Sequence, residues 1–180
     1  MPWKNGGGIT RELLSWPRGV ADWHWRISVA QVDKDGPFSL FEGVQRWFAV
    51  LDGAGVQLAL GQGEVVHTQR LTSHSEAFCF DGAVPVDCTL IDGSTQDFNL
   101  MVRSALASAT MRRVRAALQT ETKDRTVYAL WAGASGANLR DADTVMKVPP
   151  HTLAWTAARP ARRLHMDSLD ALYLEIVPCP

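Results

Sequence analysis

Hydrophobic and polar residues alternate along most of the chain with a period of two. Residues 95–103 are the clearest case. Phe98, Leu100 and Val102 fall on one side, and Asp97, Asn99, Met101 and Arg103 on the other, as expected of a strand with two unlike faces. Residues 23–32 (WHWRISVAQV) alternate in the same way, and 9–14, 45–51, 56–60, 64–67, 78–80 and 85–91 read as further strands. Asp-Gly pairs at 52–53, 81–82 and 92–93 and the Gly61-Gln62-Gly63 segment break the runs, because tight hairpins need residues that accept positive φ. Strands recur every ten residues or so without long helical periodicity, the pattern of an antiparallel sandwich or barrel. Residues 104–111 fit either a helical turn or more strand, and 111–118 have helical propensity. Strands resume at 125–131, 137–139, 144–148, 152–155 and 172–177.

The second half repeats the first. Phe48-Ala49-Val50-Leu51-Asp52-Gly53 aligns with Tyr128-Ala129-Leu130-Trp131-Ala132-Gly133 at an offset of 80 residues, and the same offset places Val65-Val66 on Val145-Met146. This predicts two similar β-sandwiches fused in one chain, with an N-terminal domain over 1–105 and a C-terminal one over 106–180, packed as one compact body.

Composition narrows the function classes. A net charge of −1 over 180 residues gives no general attraction to nucleic acid or anionic membrane. The cluster Arg112-Arg113-Val114-Arg115 is short enough to be a solvated face. Three cysteines without a CxxC spacing suggest neither a disulfide framework nor a zinc knuckle. Met1-Pro2-Trp3-Lys4 is not followed by an apolar run, so no signal peptide is read, no window approaches a membrane span, and a cytoplasmic protein is expected. The five histidines include no His-x-His pair, so a metal centre built on two histidines one residue apart on a strand is not expected. His67 and His74 flank a bend near Glu76 and read as surface residues. No cofactor is expected. The sequence has no Gly-x-Ser-x-Gly elbow and no phosphate-loop Lys-Ser/Thr after Gly6-Gly7-Gly8, and the glycines read as close backbone packing.

Three segments stand out: Pro2-Trp3-Lys4-Asn5-Gly6-Gly7-Gly8-Ile9-Thr10-Arg11-Glu12, Phe38-Ser39-Leu40-Phe41-Glu42-Gly43-Val44-Gln45-Arg46, and Asp97-Phe98-Asn99-Leu100-Met101. On these the chain resembles the HutD/Ves family. The resemblance implies an all-β fold of two fused cupin-like (RmlC-like jelly-roll) barrels, a bicupin. It also implies a protein of bacterial histidine utilisation that limits pathway expression by holding an intermediate such as N-formyl-glutamate or urocanate. The chain departs from the family pattern after Asn-Leu-Met, where an arginine-rich continuation is reduced to Arg103.

Arginine suits a carboxylate bidentately, so a non-catalytic pocket for a small carboxylate is expected. Arg46, placed near a barrel rim, is expected to work with Asn99 and Arg103. Lys4, Asn5 and Arg11 would come from the leading segment, and Trp3, Phe38 and Phe41 would wall a planar part of the ligand. Asp97 would orient an arginine or a loop amide. The alternatives are a metal-free cupin isomerase or hydrolase, using a titratable pair such as His74 with Glu76 or Asp97 with His24, and a protein-binding module using exposed tryptophans. Homodimerisation is left open.

Overall fold

The computed structural model describes Trp3 and residues 6–63, 65–141, 144–157 and 162–179. It divides into two compact units, Met1–Leu106 and Ala107–Pro180.

The first unit holds strands β1 (Gly8–Trp16), β2 (Trp25–Val32), β3 (Gly36–Pro37), β4 (Val44–Asp52), β5 (Val56–Gln62), β6 (Val65–Leu71), β7 (Phe78–Asp81), β8 (Val86–Leu90) and β9 (Thr95–Arg103). They form two antiparallel sheets, ordered β1-β2-β9-β4-β7 and β3-β8-β5-β6. Phe48, Val50 and Phe80 of the first meet Val56, Leu58, Leu60, Val86 and Cys88 of the second in one apolar cluster, with Trp3 packed at its margin. Burial of these side chains supplies the main driving force for closing the sheets on each other.

The second unit holds β10 (Ala107–Val114), β11 (Ala117–Glu121), β12 (Val127–Ala132), β13 (Ala137–Asp141), β14 (Thr144–Val148), β15 (Thr152–Ala157), β16 (Arg163–Asp167) and β17 (Ala171–Pro178). Its sheets run β10-β17-β12-β15 and β11-β16-β13-β14. Tyr128, Leu130 and Tyr173 of one face Ala137, Val148 and Met166 of the other. The strand orders of the two units match when β2, β9, β4 and β7 are set against β10, β17, β12 and β15, and β3, β8, β5 and β6 against β11, β16, β13 and β14. The repeat seen in sequence is thus a repeat of topology.

Residues 107–121, which carry helix-favouring Ala, Leu and Arg, form the two strands β10 and β11 with a bend at 115–116 between them. Met111 and Val114 are buried while Arg112 is exposed, and pairing with β17 outweighs a local preference worth a few tenths of a kcal/mol per residue. Among the described residues no helix is long and apolar enough to cross a membrane.

Gly8 shows what the glycine run is for. Gly8 pairs with Val32, and a Cβ there would collide with the carbonyl oxygen of Gln31. The amide of Trp3 donates to the Gly8 carbonyl at 2.9 Å and that of Gly6 to the Trp3 carbonyl at 3.0 Å, which folds the leading segment back on β1.

Candidate functional site

The strand register of the first unit decides which residues share its inner face. Met101 of β9 pairs with Arg26 of β2 on one side and Arg46 of β4 on the other, and Arg46 in turn pairs with Phe80 of β7. Paired residues project from the same side of a sheet. Arg26, Met101, Arg46 and Phe80 therefore form one rung. The next rung holds Glu12, Ser28, Asn99, Phe48 and Phe78, and the one after it Thr10, Ala30, Asp97 and Val50.

Arg46 lies deep in this face, only 7% exposed. Its guanidinium carbon sits 4.9 Å from the ring centre of Phe38, 5.0 Å from Phe80 and 5.8 Å from Phe41, a cation enclosed by aromatic faces. Nη2 donates to Asn99 Oδ1 and Nη1 to the Ser39 carbonyl, each at 3.4 Å, the long end of hydrogen bonding. Nε is buried with no hydrogen-bond partner among the described residues. Burial, and secondarily the Arg26 charge, push the Arg46 pKa down to about 10, so the group is still a cation at neutral pH.

Arg26 is the second cation of the face. It lies 5.0 Å from the Trp23 ring centre and 5.9 Å from that of Phe41, and Nη2 reaches Met101 Sδ at 3.2 Å. Its Nε is also buried without a hydrogen-bond partner among the described residues. Burial lowers its pKa, and the Glu12 carboxylate works against that. Arg26 and Arg46 thus both border Phe41 and flank β9, a like-charged pair with open donors.

Of the residues singled out in the sequence, Arg46, Asn99, Phe38 and Phe41 come together here. Trp3 joins them at the edge, its ring edge-on to Phe38 at 6.3 Å and its Nε1 donating to Thr10 Oγ1 at 2.7 Å. Arg46 is buried, not at a rim, because its strand begins two residues earlier and turns this position inward. Arg103 shares the face but is already engaged. Nη2 pairs with Asp22 Oδ1 at 2.7 Å and Nε donates to the Trp23 carbonyl at 2.8 Å. Arg103 therefore holds Trp23, which in turn covers Arg26. Arg11 pairs with Val29 on the opposite face and is exposed; one step of the strand period turns it away from Thr10 and Glu12. Lys4 and Asn5 lie outside the described residues.

Asp97 orients neither an arginine nor a loop amide. It is wholly buried, Oδ2 accepts from Thr95 Oγ1 at 3.0 Å, and Oδ1 has no hydrogen-bond partner among the described residues. Burial raises its pKa to about 7, against the smaller lowering effect of the Thr95 hydroxyl. Nor can it pair with His24: the His24 carbonyl accepts from the Arg103 amide, at the far end of β9. Sequence reasoning missed Arg26, Phe80 and Trp23. The signal for Arg26 was present in the Arg26-Ser28 alternation, but only the register makes it the mate of Arg46.

Among the described residues no group of three or more His, Cys, Asp or Glu is placed to hold a metal ion. Arg26, Ser28, Arg46 and Asn99 supply cations and amide or hydroxyl groups to the inner face, which does not fit a histidine-rich cupin metal centre.

Comparison with known proteins agrees with the architecture. A family model described as HutD matches residues 1–174. An uncharacterized 21.2 kDa protein in the hutC 3' region of Pseudomonas putida is 41% identical over 103 residues, 56% of this chain and 52% of that protein. Protein Ves of Citrobacter koseri is 39% identical over 111 residues, 61% of this chain and 56% of its own length. The chain thus spans about half the length of these curated relatives. The solved structure of HutD from Pseudomonas fluorescens SBW25 superposes over all of this chain and 94% of its own, with TM-score 0.84 and 26% identity. A cupin 2 conserved barrel domain protein from Leptotrichia buccalis, 9% identical with TM-score 0.55 over 96% of this chain and 89% of its own, shows the fold alone. Each unit is a cupin-type jelly roll, and the chain is a bicupin.

Proposed function

The chain belongs to the HutD family, and on that premise we propose that its first unit binds a small carboxylate metabolite of histidine breakdown, N-formyl-glutamate or urocanate, and thereby limits histidine utilisation without catalysing a reaction. The observation that carries this reading is the pair of half-buried Arg26 and buried Arg46 on one rung, each Nε buried without a hydrogen-bond partner among the described residues. Two guanidinium groups left side by side are costly, and an anion shared between them offsets both the repulsion and the lost hydration. A carboxylate would take the open donors of Arg46 bidentately and replace its two long contacts with short charge-assisted ones. Phe38, Phe41 and Trp3 would wall the planar or apolar remainder. Ser39 and Leu40, exposed on the loop that carries both phenylalanines, mark the way in. A second copy of the chain is not required by this reading.

Calorimetry with each compound tests it. Removing one partner of a buried charge pair typically costs 2–5 kcal/mol, so Arg46→Met should weaken binding roughly 30-fold or more, and Arg26→Met should weaken it measurably. The binding-dead variant should also fail to restrain urocanate-induced expression in a bacterial host. Absence of binding by either compound at millimolar concentration, or unchanged affinity in Arg46→Met, would refute the proposal. Chemical conversion of the bound compound, followed by NMR, would replace it with the metal-free enzyme reading.

A further inference from the structure

The second unit contains a cavity of about 290 Å³ inside its roll. Natural cores are close-packed and hold few voids larger than a water molecule. A space of this size approaches the lower end of small-molecule sites.

The cavity has a definite cause. On one sheet Ala154, Leu130 and Tyr173 form a rung; on the other Met146, Leu139 and Met166 form one. All six line the space. The edge strand β15 brings Thr152, Ala154 and Thr156 to its inner face, and the last two line the space. At the matching edge of the first unit, Phe78 pairs with Phe48 as Thr156 pairs with Tyr128, and Phe78 stacks on Phe80 at 5.8 Å. Where one copy has a phenylalanine ring, the other has a hydroxyl and open space. Met146, which pairs with Leu139 on the inner face, stays 50% exposed. The floor carries flat surfaces: Tyr128 and Tyr173 stack with ring centres 6.3 Å apart and planes 20° apart.

One polar group of the lining is half satisfied. Asp141 Oδ2 accepts from Arg162 Nη1 at 2.6 Å, while Oδ1 is buried with no partner among the described residues. A buried acceptor without a donor is costly, and a ligand N–H or O–H would relieve it.

We propose that the second jelly roll binds a small planar aromatic molecule that carries a hydrogen-bond donor, its ring between the Leu130 and Leu139 rungs and its donor on Asp141. This site is separate from the arginine pair of the first unit, and its ligand needs no carboxylate.

Indole and benzofuran, matched in shape but differing in the N–H, are the probes. In titrations of isotope-labelled full-length protein followed by amide NMR, indole should shift resonances clustered in β12–β16, and its affinity should exceed that of benzofuran about tenfold or more. Ala154→Phe, which places a ring in the void, should abolish the shifts. Loss of folding in that variant would leave the wild-type mapping as the deciding result. Shifts clustered in residues 6–106, no shifts at millimolar indole, or full binding by a folded Ala154→Phe protein would overturn the site. Equal affinity for the two probes would overturn the role of Asp141.

Discussion

Replacing Asp97 by asparagine should change how stability depends on pH, and the structure sets both sign and size. Asp97 is fully buried between Ala30 and Val50 on the inner face of β9, with a hydrogen bond from Thr95 to one oxygen and, among the described residues, none to the other. Its carboxyl titrates near 7 in the fold, against an ordinary 3.8. Between those two values the folded chain holds a proton that the unfolded chain has released. The sign is therefore the reverse of the usual carboxylate case: stability falls as pH rises from about 4 to about 7, then levels off. Asparagine keeps the shape and an acceptor for Thr95 but cannot ionise.

The advantage of Asp97→Asn over wild type should therefore grow with pH. Between pH 5 and pH 8, a shift of this size corresponds to growth of about 2–3 kcal/mol in the difference in unfolding free energy. Urea denaturation of both proteins at several pH values, read by tryptophan fluorescence, measures it, and carbon NMR of the labelled carboxyl gives the midpoint directly. A difference that does not vary with pH, or a carboxyl midpoint below about 5, would refute the account of Asp97 as a buried, under-bonded acid.

Other consequences are as concrete. Burial pushes the Cys79 thiol up to about 11 and the Cys88 thiol, further raised by Asp97 and Asp35, to about 12, so iodoacetamide at pH 8 should label only the exposed Cys179 in folded protein and all three cysteines in urea, as mass spectrometry would count. Gly8→Ala forces a Cβ into the Gln31 carbonyl and should lower stability by about 1–3 kcal/mol; an unchanged urea midpoint would show that the leading segment does not close on β1 as described. Asp170→Ala removes the half-exposed carboxylate 3.0 Å from the buried Arg113 guanidinium and should cost about 1–3 kcal/mol; an unchanged urea midpoint would show that the pair does not stabilise the fold.

The strands were legible because their alternation is strong, and residues 95–103 were read with both faces correctly sorted. Residues 104–118 were not, since helical propensity is local and the β10–β17 pairing that overrides it joins residues about sixty positions apart. The same distance dependence governed the site. Arg46 and Asn99 were named from the sequence, and Arg26, equally visible as a polar residue in an alternating run, was not. Nothing local says that positions 26 and 46 both flank 101. Arg11 was named because it sits in a conspicuous motif, although strand parity with Thr10 and Glu12 sends it to the other face. Arg103 was in the right row, but Asp22 and the Trp23 carbonyl, neither signalled by any pattern, engage it first.

The two rolls also differ in the charge that equivalent rung positions carry. In the first unit Asn99 pairs with Ser28 and Phe48; in the second, Glu175 pairs with Thr110 and Tyr128. The rungs correspond, so Glu175 stands where Asn99 stands, and by the same count Ser108 stands where Arg26 does. Thr126, 80 residues after Arg46, precedes β12 and brings no charge. The second copy has exchanged two cations and an amide for hydroxyls and an acid, which Tyr173 caps with a hydrogen bond of 2.6 Å. Burial and the neighbouring Glu175 acceptor both raise the Tyr173 pKa, so that hydroxyl remains a donor at any working pH. At these three positions the second unit lacks the guanidinium pair that the first unit would offer an anion. The difference between the units is one of charge on a shared frame, and grafting Arg26 and Arg46 onto positions 108 and 126 while replacing Glu175 by Asn should transfer carboxylate binding to the second roll. A triple variant that folds, as circular dichroism would establish, yet shows no second equivalent of bound carboxylate by calorimetry would mean that the rung arrangement alone does not make the site.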